Sequence, residues 1–268
     1  MPNQIRKAII LAAGEGTRFH PITRAVPKEM LPVIDKPILH YIIEDAVDSG
    51  VREFIIVTTA FKEPLIKKYF DLNPEIGATI TFIHQSGPYG TATPVANAQR
   101  LIGGEPFALL YGDEIFMGDK PRLRQMLDVY DKYHGPVFGA MTTDDEGTRR
   151  FGILEPATQL EPNIFQINSL SEKPGPEKTT SRLAALGAYL LTPEIYDFIP
   201  RIQKSPRGEL ELTDAIKMLM QIQPHYAVCF QGKIFDTGTK TSWLRTNLAL
   251  ARLRPDLKLG QDDLTADF

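Results

Sequence analysis

The chain has 268 residues, 43% of them hydrophobic and 24% charged, and a formal net charge of −3. That is material for one large folded domain, and the absence of a basic excess excludes non-specific nucleic-acid binding as the main activity. The single cysteine, Cys229, excludes a disulfide framework and a thiolate metal site. No stretch approaches the ~20 apolar residues of a membrane span, and the short N-terminal apolar run lacks a signal-peptide design. A cytoplasmic protein with no membrane or nucleic-acid partner is the expectation.

In chain order, Lys7–Leu11 is a short apolar run that predicts a fully buried strand. After a glycine-rich loop, Ile38, Ile42 and Ala46 recur at helical spacing, and Gly50 suits the stop. Glu53–Thr58 predicts a second buried strand, Phe61–Asp71 an amphipathic helix with Pro64 in its first turn, and Thr79–His84 a third strand. Pro94–Ile102 reads as helix, Pro106–Tyr111 as strand, Arg122–Tyr133 as helix and Pro136–Met141 as strand. Such alternation predicts an α/β protein with a mostly parallel sheet covered on both faces.

Beyond residue 143 the strand candidates Phe151–Glu155, Ile164–Leu170 and Leu183–Leu191 have little helix between them, which predicts an added antiparallel layer. Pro193–Ile202 and Glu209–Gln221 read as helices, Ala227–Phe230 as a strand and Thr241–Leu253 as a closing helix. Trp243, Cys229 and the phenylalanines fall in apolar patterns expected of core. With no repeat or low-complexity linker, residues 1–253 read as one domain with lobes at 1–143 and 144–253, and 254–268 as a polar tail.

The chemistry starts in the loop. Ala12, Ala13, Gly14 and Gly16 have almost no side chain, so the backbone can lie against a ligand, and successive N–H groups can form an anion-binding concavity. Thr17 adds a hydroxyl, Arg18 a planar cation and Lys28 a point charge, a set that suits a triphosphate. The dinucleotide fingerprint is excluded: its third glycine position is Phe19, and the next strand ends in Thr58-Thr59 rather than an acid. The Walker loop is excluded because no Gly-Lys-Ser or Gly-Lys-Thr occurs. The string Leu11-Ala-Ala-Gly-Glu-Gly-Thr-Arg18 with Pro27-Lys28 resembles the signature of the sugar-1-phosphate nucleotidyltransferases. Its continuation, Lys28-Glu-Met-Leu-Pro-Val-Ile-Asp-Lys-Pro37, is most similar to bacterial UTP–glucose-1-phosphate uridylyltransferases.

The resemblance runs from Ala8 to about Leu253. It implies a Rossmann-like nucleotide-diphospho-sugar transferase fold with a small antiparallel sugar-binding addition. Leu11, Ala12, Ala13, Gly14, Gly16 and Thr17 would then contact the nucleotide. Gln85 has the amide donor and acceptor that pair with a uracil or thymine edge, and with Gly90 it occupies the family's base-reading position. Uridylyltransferases usually continue Gly-Leu-Gly-His-Ala, whereas this chain has Gly90-Thr91-Ala92-Thr93-Pro94, which leaves UTP and dTTP both open.

Asp113, at the end of an apolar strand, can hold a divalent cation or simply cap the next element; Leu109-Leu-Tyr-Gly-Asp113 matches the family's magnesium-binding motif. Asp236 in Phe235-Asp-Thr-Gly-Thr239 reads as a turn residue, or by resemblance as the second magnesium ligand. Glu172-Lys173 taken alone is a solvated ion pair. In the family that position grips the sugar 1-phosphate, with Gly152 nearby and Gly187-Ala-Tyr189 as a pocket wall. Glu114 has no role that the sequence assigns, and Glu209 and Asp214 read equally as residues ordering a helix start. The five histidines show no ligand spacing.

The reaction that the resemblance implies is nucleotidyl transfer from an NTP, UTP first among them, to a sugar 1-phosphate, glucose 1-phosphate first among them, giving NDP-sugar and pyrophosphate with Mg and without a protein nucleophile. Arg18, Lys28, Asp113 and Lys173 would be its catalytic residues. A homodimer is the family's usual state. The alternatives are a thymidylyltransferase and a silent nucleotide-sugar-binding regulatory paralogue.

Overall fold

In the computed structural model, which describes residues 5–258, the chain opens with strand β1 (Lys7–Leu11) and the glycine-rich loop. It continues through a short hairpin, β2 (Pro32–Val33) and β3 (Lys36–Pro37), to helix α1 (Ile38–Asp48). Then come β4 (Glu53–Thr58), α2 (Glu63–Asp71), β5 (Thr79–His84), α3 (Ala92–Ile102), β6 (Phe107–Tyr111), β7 (Glu114–Met117), α4 (Arg122–Tyr133) and β8 (Val137–Thr142). The second half holds α5 (Asp145–Thr148), β9 (Gly152–Glu161), β10 (Ile164–Glu172), β11 (Leu183–Leu191), α6 (Ile195–Phe198), α7 (Leu212–Leu219), β12 (His225–Cys229), β13 (Lys233–Asp236) and α8 (Lys240–Ala251).

Nine strands form one sheet in the order β5-β4-β1-β6-β11-β8-β12-β10-β9. β5, β4, β1 and β6 are mutually parallel neighbours, β11 runs antiparallel to β6 and β8, and β12 is parallel to β8. β1, β4 and β6 are covered on both faces, which is why they read as short apolar runs, whereas β5 at the sheet edge alternates and is only half-buried. Ala8, Ile10, Phe54, Ile56, Ala108 and Leu110 pack on one face. Ile9, Ile55, Val57, Phe107 and Leu109 pack on the other.

The expected antiparallel addition is present, but it extends the edge of the main sheet instead of forming a separate layer. β10 pairs with β12 and with β9, and β9 also touches β11. The helix expected over Pro193–Ile202 is broken into α6 and a 3-10 turn at Ile199–Arg201, because Pro200 cannot continue an α-helical ladder. The helix expected from Glu209 starts at Leu212. Two short strands, β7 and β13, escaped the sequence reading and pair with each other. Phe61, expected in the core, is 58% exposed, whereas Trp243 is half-buried and donates its indole N–H to Pro32 O at 2.9 Å. At the start of the tail, Arg254 clamps Asp35 at 2.8 and 2.9 Å; residues 259–268 of the expected tail lie outside the described residues. No helix among the described residues is long and apolar enough to cross a membrane.

His225 at the start of β12 is fully buried, stacks on Phe138, and donates Nδ1–H to Gln223 O at 3.0 Å. Burial lowers its pKa to about 4 from 6.5, against the opposing pull of that carbonyl. The unfolded chain therefore binds more protons between these values, so stability falls as pH drops through that window, by up to about 3 kcal/mol. Glu114, whose pKa burial raises to about 7, contributes the opposite slope over much of that window, so the His225 part is read by difference: in urea unfolding at stepped pH, His225→Gln should gain stability relative to wild type as pH drops from 6.5 to 4.

Candidate active site

β1, β4 and β6 end side by side at their carboxyl edge, the edge at which open α/β sheets bind ligands. The loop after β1 turns at Gly16, whose φ of +67° favours glycine and whose missing Cβ leaves room for Lys28 and Thr23 against it. Behind the loop lies a buried ion pair that the sequence did not announce. Lys62, 4% exposed, donates to Ala12 O, Gly14 O and both carboxylate oxygens of Glu29. Burial pushes the Glu29 carboxyl up, and the Lys62 ammonium opposes that shift.

In front of the loop, charged groups from distant segments converge. Lys28 Nζ donates to Asp113 Oδ2 at 2.7 Å. Arg18 Nη1 reaches Gly238 O at 3.5 Å. The point where a Cβ on Gly238 would sit is 2.8 Å from Asp236 Oδ1, 3.6 Å from Asp113 Oδ2 and 3.6 Å from Arg18 Nη1. The two acids, 123 residues apart in the chain, thus face a shared space. The β7–β13 pairing aligns Asp236 with Glu114, and the Thr237 N–H and hydroxyl both donate to Asp113 O, at 2.9 and 2.7 Å. Arg150 adds a third cation, 3.4 Å from Asp236 Oδ2.

Two hard carboxylates on one space, without sulfur or imidazole, suit a divalent cation that completes its shell with water and phosphate oxygens. They do not suit a protein-only cage, and among the described residues no group of three or more His, Cys, Asp or Glu gathers to form one.

At the end of β10, Glu172 pairs across the ladder with Gly152, and its carboxylate meets Lys173 at 3.1 Å and Arg207 at 3.4 Å. Lys173 is exposed with φ +46°. Arg207 lies in no pattern that the sequence reading singled out. Gly187 on β11 donates its N–H to Glu114 Oε2 at 2.8 Å. Tyr189 is buried, edge to face with Tyr111 at 5.9 Å, so any wall it forms acts through the Tyr111 ring. Burial raises the pKa of both tyrosine hydroxyls above the ordinary phenol value.

Glu114 now has a setting. Burial pushes its pKa to about 7, opposed by Arg122 and reinforced by Asp113. Arg122, 1% exposed, lies between Asp45 at 3.5 Å and Glu114 at 3.8 Å. These are ion-pair distances, not hydrogen bonds, and no guanidinium nitrogen has a hydrogen-bond partner.

Gln85 follows β5, half-buried, with its N–H on Thr58 O. Gly90 has φ +144°, and a Cβ there would lie 2.2 Å from Leu210 O. Around it, Leu210 N–H donates to Tyr89 O, Ala92 N–H to Leu210 O, and Leu212 N–H to Thr91 Oγ1. The departure at Thr91 therefore has a structural account: its hydroxyl caps the first turn of α7. Two open surface depressions, lined around Lys204 and Lys217 and around Glu155 and Arg182, contain none of these groups.

The nucleotidyl transferase family profile matches residues 7–252. The chain is 40% identical over 276 residues to a UTP–glucose-1-phosphate uridylyltransferase of Bacillus subtilis (strain 168), covering 95% of this chain and 94% of that one. It is also similar to the crystal structure of UDP-glucose pyrophosphorylase complexed with UDP-glucose, with a TM-score of 0.88 and 29% identity, over 94% of this chain and 100% of that one. The UTP-bound enzyme from Acinetobacter baumannii superposes with a TM-score of 0.82 and 28% identity, over 95% and 96% of the two chains.

Arg122→Met should strand Asp45 and Glu114 as buried carboxylates without a counter-charge. Removing one partner of a buried pair typically costs about 3–5 kcal/mol, and urea unfolding at pH 7 should show a loss of that size.

Proposed function

This chain belongs to the nucleotidyl transferase family, and we propose that it transfers the uridylyl group of UTP to glucose 1-phosphate. The products are UDP-glucose and pyrophosphate. The observation that carries this reading is the meeting of Lys28, Asp113, Asp236 and Arg18 in front of the glycine-rich loop. The names of its relatives supply the nucleotide and the sugar.

In the proposed step, one phosphate oxygen of the sugar phosphate attacks the α-phosphorus in line. The bond from that phosphorus to the β-bridging oxygen breaks, and pyrophosphate leaves with the electron pair. No protein nucleophile is needed, so the protein contributes position and electrostatics. Ala12, Ala13, Gly14 and Gly16, between Leu11 and Thr17, leave the backbone free to approach the phosphates. Arg18 and Lys28 neutralise the triphosphate and the departing pyrophosphate. Lys173 holds the attacking phosphate, Glu172 accepts from sugar hydroxyls, and Gly152 and Gly187 offer backbone to the sugar, with Tyr189 behind Tyr111. Asp113 and Asp236 would hold Mg, which when bound supplies positive charge to the phosphate oxygens. Gln85 and Gly90 read the base. The polar substrates fit a cytoplasmic enzyme.

Turnover with UTP and glucose 1-phosphate, followed by pyrophosphate release, is the direct test; a wild-type protein inert with every NTP and sugar phosphate would refute the reading. A panel that includes dTTP separates uridylyl from thymidylyl transfer. Asp113→Asn should lower kcat about a hundredfold or more with the melting temperature held, and retention of full rate would remove Asp113 from the metal site. Lys173→Ala should raise the KM for glucose 1-phosphate about tenfold while leaving that for UTP nearly unchanged.

A further inference from the structure

Lys62 and Glu29 have no part in the proposed chemistry, yet they are among the most deeply buried charged groups in the protein, at 4% and 5% exposure. Lys62 immediately precedes α2, its own N–H bonded to Thr59 O. Its ammonium reaches Ala12 O at 2.9 Å and also Gly14 O, so two of its three protons go to carbonyls of the glycine-rich loop. The remaining proton faces Glu29, at 3.0 and 3.1 Å. Thr58 Oγ1 also donates to Ala12 O, at 3.4 Å, and Ala12 N–H is tied to Val57 O at 2.9 Å. Glu29 in turn packs over Gly112, with its Cγ 3.1 Å from the Cβ position there, next to Asp113.

A trans peptide carries its C=O and N–H on opposite edges of one plane. With the carbonyls of Ala12 and Gly14 turned back onto Lys62, the amides of Ala13 and Glu15 point the other way, toward the side where Gly14 and Glu15 are exposed. Glycine-rich backbone has no intrinsic reason to hold that arrangement. A lone ammonium in this position would be costly to bury, and the Glu29 carboxylate offsets part of that cost.

We propose that Lys62 is a positioning residue for the nucleotide: it fixes the carbonyls of Ala12 and Gly14 so that the amides of Ala13 and Glu15 meet the nucleotide phosphates, and Glu29 neutralises it. This deepens the reading of the loop as the triphosphate site and rests on that reading. The pair stays behind the backbone and adds no net charge on the phosphate side, where Arg18, Lys28 and Arg150 are the cations.

The test separates a positioning role from plain stability. Lys62→Met alone leaves Glu29 buried without a partner and should melt well below wild type. The double variant K62M/E29Q removes both charges and should recover most of that loss. Its affinity for UTP, measured by calorimetry, should nevertheless be weaker by about tenfold or more, with the KM for glucose 1-phosphate within about twofold of wild type. Glu29→Gln keeps Lys62 and an amide oxygen facing it, and should bind UTP within about threefold of wild type.

Recovered melting together with wild-type UTP affinity in the double variant would overturn the proposal. So would a loss in Glu29→Gln as large as that of the double variant. Amide exchange at Ala12 without nucleotide, where the N–H is held by Val57 O, reads the loop alone and should accelerate in Lys62→Met and in the double variant. Unchanged exchange would overturn the inference even where UTP binds, whereas failure of the wild type to bind UTP with faster variant exchange would overturn the functional reading instead.

Discussion

Two parallel strands in register carry the candidate site. β1 and β6 pair from Lys7–Phe107 to Leu11–Tyr111, so the glycine turn after the first and Gly112-Asp113 after the second leave the sheet at the same level. A ladder of that kind fixes both exits together, because a one-residue slip of either strand would move the side chains packed in one core layer into the other. Lys28 then bridges to Asp113 at 2.7 Å from a 3-10 turn at Lys28–Met30. The small β7–β13 ladder performs the same service for Asp236, which would otherwise belong to a distant loop.

Charge is buried behind this site as well as in front of it. Arg122 sits between Asp45 and Glu114, and Glu114 holds the Gly187 amide of β11. Lys62 sits against Glu29 and holds the carbonyls of Ala12 and Gly14. In both cases a buried cation acts on backbone that faces the cleft through, or alongside, a carboxylate that balances it. Such pairs add little net stability over apolar packing; the hydrogen bonds of Lys62 and of Glu114 also constrain direction, which apolar contacts do only weakly.

One stretch links the two ends of the cleft. Residues 205–212 touch the loop after β5 through Leu210 and Leu212, and touch the end of β10 through Arg207 on Glu172. The loop that carries Gly90 and the carboxylate proposed for the sugar therefore share a mechanical connection. Thr91 belongs to this connection by capping α7, so its departure from the family's usual pattern reports on helix termination as much as on the base.

Much of this was legible in the chain itself. Apolar runs bounded by turn residues located β1, β4 and β11 to the residue, because a strand buried on both faces needs no partner to declare its pattern, and β-branched alternation located the half-buried edge strand β5. The local signatures at residues 11–18, 113, 172–173 and 236–238 marked the positions at which chemistry would be sought, since loops that accept phosphate or metal require small or acidic residues in short order. What only the tertiary structure decided is which distant charges face each other. Lys62, Glu29, Arg122 and Arg207 stand in ordinary helical or loop sequence, and β7 and β13 are four-residue strands that exist only by pairing with one another. Periodicity reports the face a residue turns to the core. It carries no information on the partner that a buried charge finds there, because that partner is chosen by how strands and loops from opposite ends of the chain come to lie together.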